Sequence, residues 1–322
     1  MIDFISATKC IGKDSINLSN CRLVPVYFNG RQKYQIEGCE RLAVWHNPTA
    51  GLLKIEGSLP YWLQGHNFAF SRDGYIEAVE LLQQALYLPL WDAEVDAFEY
   101  GAIVQVESEP KQYIQRHYAP AGSKLKLNEN GKDAGAFRWW ADSFESLKMY
   151  DAGKNIKMKQ GLRRREVIQQ AGYCPTSDYL KFEIHYKSKA MPVLNNGRAV
   201  LLETLQEPGW LSHLKQNTIE QYHQLKTMRT LELPTSKKDL SSTDILALAF
   251  VEGFMNAEGK PVQDAKKELF QRINALPDTL LTKADKDARK RQLNAIFGRL
   301  KESESSPWDL TEKIEAALAS EV

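Results

Sequence analysis

The sequence predicts an α+β fold: a central antiparallel sheet with flanking helices over residues 1–205, then an all-helical region over residues 206–322. Three observations support this. Short runs rich in β-branched and aromatic residues, cut by Gly, Asn and Pro, fill the first two-thirds of the chain. Apolar residues at helical spacing dominate the last third. The composition, 43% hydrophobic and 26% charged over 322 residues, is that of a globular chain able to bury a core without staples.

Residues 2–8 alternate weakly and read as a first strand. Residues 22–28 read as a second, closed by the turn pair Asn29 and Gly30. Residues 34–36, 42–45 and 52–56 continue the series. Ile76, Val79, Leu82 and Leu86 recur at helical spacing, so a helix spans about residues 73–87. Residues 94–106 read as a long, partly buried strand through Val95, Ala97, Ile103 and Val104. Next come a short helix over 110–118 and a polar loop or hairpin over 122–135. Residues 147–150 and 179–186 are two more strands; the second sets Leu180, Phe182 and Ile184 against Lys181, Glu183 and His185. Residues 210–225 suit a helix and 233–240 a linker. Ser241, Ser242, Thr243 and Asp244 offer caps ahead of an apolar helix over 245–254. A turn over 256–261 leads to a helix over 262–273, then a basic amphipathic helix over 283–300 and a last helix over 310–319.

Net charge is only +1, so bulk charge does not announce a nucleic-acid partner; its distribution is more telling. Residues 145–165 carry seven basic against two acidic residues, and residues 283–301 again seven against two. Such stretches fit either a phosphate-tracking surface or solvated faces. The four cysteines, Cys10, Cys21, Cys39 and Cys174, have no Cys-x-x-Cys spacing, which argues against a cysteine zinc site and for free thiols. No run of about 18 apolar residues exists, and the N-terminus lacks a signal-peptide pattern, so a cytoplasmic protein without a membrane partner is expected. There is no phosphate-binding loop for ATP, no dinucleotide fingerprint, no His-Glu-x-x-His and no nucleophile elbow. The six histidines form no His-x-His pair.

Four segments, in order, resemble the replication initiators of filamentous phages, the gene II product family of rolling-circle tyrosine nickases. They are Leu63-Gln64-Gly65-His66-Asn67, Val95-Asp96-Ala97-Phe98, Ser146-Leu147-Lys148-Met149-Tyr150 with Lys154, and Leu180-Lys181-Phe182-Glu183-Ile184. The opening Met1-Ile2-Asp3 is similar as well. The resemblance spans roughly residues 1–200 and leaves the helical tail without a matched motif. The chain departs from the family in Glu94-Val95-Asp96, where Glu94 stands in place of the arginine usual before the strand aspartate, at Lys181, also usually arginine, and in the longer spacing from Tyr150 to Lys154.

The resemblance implies a site- and strand-specific DNA endonuclease and strand transferase acting at a phage or plasmid double-stranded origin. Tyr150 would attack a phosphodiester and retain its energy in a 5′-phosphotyrosine link, so rejoining needs no ATP. A phenol with an ordinary pKa near 10 needs help. Asp96 and Glu183, with the imidazole of His66, would hold Mg2+ or Mn2+ at the scissile phosphate, with Glu99 as a reserve carboxylate. Lys154 would protonate the leaving oxygen or stabilise phosphate charge. Tyr100, Tyr113, Tyr118 and Tyr173 are rival nucleophiles. Arg163, Arg164 and Arg165, and Lys290 and Arg291 in the basic helix, are the candidate phosphate contacts. Trp139 and Trp140 are candidates for stacking on unpaired bases. Partners by resemblance are origin DNA, duplex and locally single-stranded, and a host helicase and polymerase in a bacterial cytoplasm. The competing readings are a non-catalytic DNA-binding replication protein or repressor, a transposase or mobilisation nickase with the same chemistry, and a metal-dependent nuclease in which water attacks.

Overall fold

The computed structural model describes residues 1–12, 16–19, 21–28, 31–36, 41–118, 124, 126–129, 136–157, 162–227, 242–258, 262–298 and 308–319. In chain order the strands are β1 (Ile2–Cys10), β2 (Cys21–Phe28), β3 (Arg31–Ile36), β4 (Leu42–Asn47), β5 (Leu52–Ser58), β6 (Glu94–Val106), β7 (His117–Tyr118), β8 (Lys126–Glu129), β9 (Phe137–Ala141), β10 (Glu145–Asp151), β11 (Asp178–Tyr186) and β12 (Lys226–Thr227). The helices are α1 (Leu59–Gln64), α2 (Arg72–Leu86), α3 (Pro110–Gln115), α4 (Lys154–Lys157), α5 (Leu162–Gln170), α6 (Ala190–Leu194), α7 (Pro208–Gln224), α8 (Ser242–Glu258), α9 (Val262–Ala275), α10 (Lys283–Phe297) and α11 (Thr311–Ala319). The chain is α+β, with a ten-stranded antiparallel sheet, flanking helices and C-terminal helices.

The chain forms two units, one of Met1–Gln115, Lys124–Gln224 and Leu310–Val322, the other of Arg116–Ser123 and Leu225–Asp309. The first holds the large sheet, in the order β2-β3-β4-β5-β1-β6-β11-β10-β9-β8. Its central strands separate two kinds of side chain by the two-residue period of extended backbone. One face carries Ile5, Ala7, Phe98, Ala102, Leu180, Phe182, Ile184, Leu147, Met149 and Trp140, all buried. α7 and α11 cover part of it: Trp210 packs on Phe98, Tyr222 meets Phe182 edge-on at 5.4 Å, and the Tyr222 hydroxyl accepts a 2.7 Å hydrogen bond from the Leu310 amide. The helical tail expected as one region from residue 206 is therefore divided, because α7 and α11 bury Leu214, Tyr222, Ile314 and Leu318 within the sheet unit.

The second unit pairs β7 with β12 and gathers α8, α9 and α10 around Leu248, Val251, Met255, Ala265 and Phe297. α8 continues to Glu258, into the stretch where a turn was expected. β9 and α5 had no counterpart among the expected elements. The expected linker over 233–240 lies outside the described residues. Cys10 and Cys174 are free, exposed thiols. No helix among the described residues is long and apolar enough to cross a membrane.

Candidate active site

The other face of the central strands is charged. β11 contributes Lys181, Glu183 and His185, alternating with its apolar residues. Antiparallel register sets Tyr150 of β10 opposite Lys181, Lys148 opposite Glu183 and Ser146 opposite His185. On the other side of β11, β6 sets Gly101 opposite Glu183 and Glu99 opposite His185. β9 sets Phe137 opposite Tyr150 and Trp139 opposite Lys148. Gly101 is what lets β6 and β11 close up: a Cβ there would stand 2.2 Å from the Phe182 carbonyl oxygen and 2.5 Å from the Glu183 Cα.

These charges are not solvated. Lys181 is 1% and Glu183 2% exposed, so each charge has lost its water and depends on its partners. Lys181 Nζ donates to Asp3 Oδ2, reaching from β11 to β1. It also lies 2.5 Å from Glu183 Oε2, off the hydrogen-bonding direction, so that buried oxygen accepts no hydrogen bond. Asp3 accepts further bonds of 2.6 Å from Ser58 Oγ and 2.6 Å from Asn67 Nδ2. Glu99 takes the Lys148 ammonium and, at 3.1 Å, His185 Nδ1. Lys148 is 3.7 Å from Glu183 Oε1.

The environment drives the carboxyls apart. Burial pushes Asp3 up, but Lys181 and the donors Ser58 and Asn67 outweigh it and hold Asp3 below its ordinary range. Burial is likewise outweighed at Glu99 by His185 and Lys148, which keep it ionised. Glu183 goes the other way: burial and repulsion from Glu99 raise it despite Lys181. Tyr150 is raised well above the usual phenol value, first by burial and then by Glu183, with Lys181 opposing. The Lys181 ammonium sits 5.8 Å from the Tyr150 ring centroid.

Asp3, Glu99 and Glu183 each offer an oxygen within 4.8 Å of the others, and among the described residues no other group of three such side chains converges in this way. Hard divalent cations take carboxylate oxygens at about 2.0–2.6 Å. The donor chemistry and spacing fit such an ion, and Glu183 Oε2 has a lone pair no hydrogen bond uses. A cation entering here must displace the Lys181 ammonium from Asp3 and Glu183.

The expected trio of His66, Asp96 and Glu183 does not converge. Asp96 Oδ2 is taken by Thr8 Oγ1 at 2.7 Å and Ser6 Oγ at 3.3 Å. The β1–β6 register shifts from Ser6–Ala97 to Ala7–Val95, leaving Asp96 as the extra residue of a bulge. Nδ1 of His66 faces its own loop, 3.3 Å from the Phe68 amide and 3.3 Å from Gln64 Nε2, and burial lowers its pKa. Its neighbour Asn67 is the residue that reaches the cluster. The reserve carboxylate Glu99 is a full member, and sequence reasoning did not single out Asp3 or Lys148 as site residues.

Lys154 begins α4 with an exposed side chain. Tyr100 and Tyr113 are buried, Tyr173 packs on Phe68, and Tyr118 lies in the second unit. The Trp pair splits by strand parity: Trp139 is half-buried on the charged face, while Trp140 is fully buried in the core. Arg165 donates to the Lys157 carbonyl at 2.5 Å; the side chains of Arg163 and Arg164 lie outside the described residues. Lys290 pairs with Asp287 at 3.3 Å, and Arg291 is exposed on α10.

Comparison of the chain with protein-family models, curated proteins and solved structures returns no match.

Proposed function

We propose that the protein is a DNA strand-nicking and strand-transfer enzyme with Tyr150 as nucleophile, acting as an initiator of rolling-circle replication. The observation that supports this most strongly is the register that stands the half-buried Tyr150 beside Lys181, one row from Glu183. A phosphate entering at that edge meets a phenol, an ammonium and a convergent set of carboxylates together.

The phenol oxygen attacks phosphorus in line, a new P–O bond to Tyr150 forms, and the bond to the 3′ oxygen breaks. Glu183, whose raised pKa suits it to hold a proton, takes the phenol proton. Lys181 stabilises the developing phenolate. Lys148 or Lys154 delivers a proton to the departing 3′ oxygen, freeing a hydroxyl that a polymerase can extend. Asp3 and Glu99, kept ionised, would hold Mg2+ or Mn2+, which supplies Lewis-acid polarisation of the phosphate when bound. Because one phosphate ester replaces another, a later 3′ hydroxyl can reverse the attack and reseal the strand without ATP. Trp139 and Phe137 flank Tyr150 and Lys148 on the half-buried edge and would receive unpaired bases.

The test incubates supercoiled circles carrying the DNA that neighbours the coding sequence with Mg2+ or Mn2+ and either wild-type protein or Tyr150→Phe. The expected result is a protein–DNA adduct that survives denaturation and is absent from Tyr150→Phe. Nicking without an adduct, unchanged in Tyr150→Phe, would make the protein a water-dependent nuclease. Specific binding with no nicking in either metal would make it a non-catalytic DNA-binding protein.

A further inference from the structure

On the apolar side of the sheet, away from the carboxylates, a cleft of about 390 Å3 opens between the start of β1, the first turn of α2, and α7. Its floor is apolar, built by Ile2, Tyr100, Leu205, Leu211 and Leu318. Its rim is polar, with Ser71, Arg72, Asp73, Ser212 and Lys215. The volume lies within the roughly 300–1,000 Å3 typical of small-molecule sites, which pair an apolar lining with a few placed polar groups.

The rim favours an anion. Arg72 is anchored by the 2.6 Å bond from its Nε to the Gln206 carbonyl, so its guanidinium is held at the mouth. Its Nη1 lies 3.9 Å from Asp73 Oδ1, beyond hydrogen-bond reach. Asp73 is 92% exposed, so water screens most of its charge. Lys215 makes no ion pair among the described residues. The fifteen-residue α2 adds the positive end of its dipole at the same rim. Two cations and a helix start above an apolar floor match a ligand that is apolar at one end and anionic at the other.

We propose that this cleft binds a small amphipathic carboxylate, its chain on the Tyr100–Leu211–Leu318 floor and its head group between Arg72 and Lys215. The site is distinct from the Tyr150 cluster and does not depend on the nicking chemistry, although Ile2 and Tyr100 belong to the strands that carry Asp3 and Glu99.

Titration calorimetry of the full chain with decanoate, decanol and decylamine tests it. The expected result is saturable one-to-one binding of decanoate, at least tenfold tighter than either neutral decanol or cationic decylamine. Arg72→Gln with Lys215→Gln should bring decanoate down to the decanol level. Ser212→Trp, a rim substitution that fills the mouth without touching the core, should abolish binding of all three while helicity by circular dichroism stays unchanged. Equal affinities for the three head groups would overturn the anionic class. Binding that ignores Ser212→Trp, or that never saturates, would overturn the site.

Discussion

The charged centre of the sheet and the Lys290–Arg291 stretch of helix α10 hold the same kinds of residue in opposite physical states. In the sheet, Lys181 and Glu183 are buried against each other, and Lys181 is bonded to Asp3, 178 positions away. On α10, Lys290 pairs with Asp287, one turn back, and Arg291 faces solvent. A buried charge that loses its partner costs about 3–5 kcal/mol, whereas an exposed pair contributes roughly 0–1 kcal/mol. Local charge density is thus a poor guide to chemistry. The residues 283–301 stand out by counting, while the convergent cluster proposed as the active site lies among isolated acids and lysines of a nearly neutral chain.

The sharpest way to break this comparison is to alter both regions and read stability and activity separately. Tyr150→Phe should cut adduct formation at least about a thousandfold, as loss of a nucleophile does, with little change in the unfolding midpoint. A loss of folding instead would make Tyr150 a core tyrosine. Lys181→Met should lower unfolding free energy by about 3–5 kcal/mol, because Asp3 and Glu183 lose their shared cation, whereas Lys290→Met should cost less than about 1 kcal/mol. Denaturant titration checks both, and equal costs would erase the contrast. Asp3 sharpens it through pH. Its carboxyl is held below the ordinary value of 3.8, so its stabilisation is complete above that pH and fades as pH falls through the lower folded value. Asp3→Asn should therefore flatten the acid limb of the stability curve. The smallest effect belongs to α10: Arg291→Ala should weaken DNA binding evenly across sequences and reduce the salt slope by about one contact, leaving chemistry intact.

Much of the sheet was legible because its strands alternate. Leu180, Phe182 and Ile184 against Lys181, Glu183 and His185 state two faces directly, and α2 announces itself by its apolar spacing. What the alternation hides is which strands become neighbours. Asp3 meets Lys181 across 178 positions, only because β1, β6 and β11 lie side by side. Asp96 looked like the strand carboxylate, but a single-residue bulge hands it to Ser6 and Thr8, while Glu99 meets His185 and Lys148. No local pattern marks that bulge. Trp139 and Trp140 read as a pair, yet a period of two sends adjacent residues to opposite faces. α5 escaped notice because its basic run hides a weak apolar stripe, and β9 because Phe137-Arg138-Trp139-Trp140-Ala141 shows no clean apolar–polar alternation, Trp140 alone being buried.

The most direct measurement is to digest the denatured protein–DNA adduct with nuclease and protease and locate the remaining nucleotide by mass spectrometry. A nucleotide on the Tyr150 side chain, dependent on Mg2+ or Mn2+, is the expected result. A nucleotide on Tyr173 or any other residue, or efficient nicking with no modified peptide, would contradict the assignment of Tyr150 as the nucleophile.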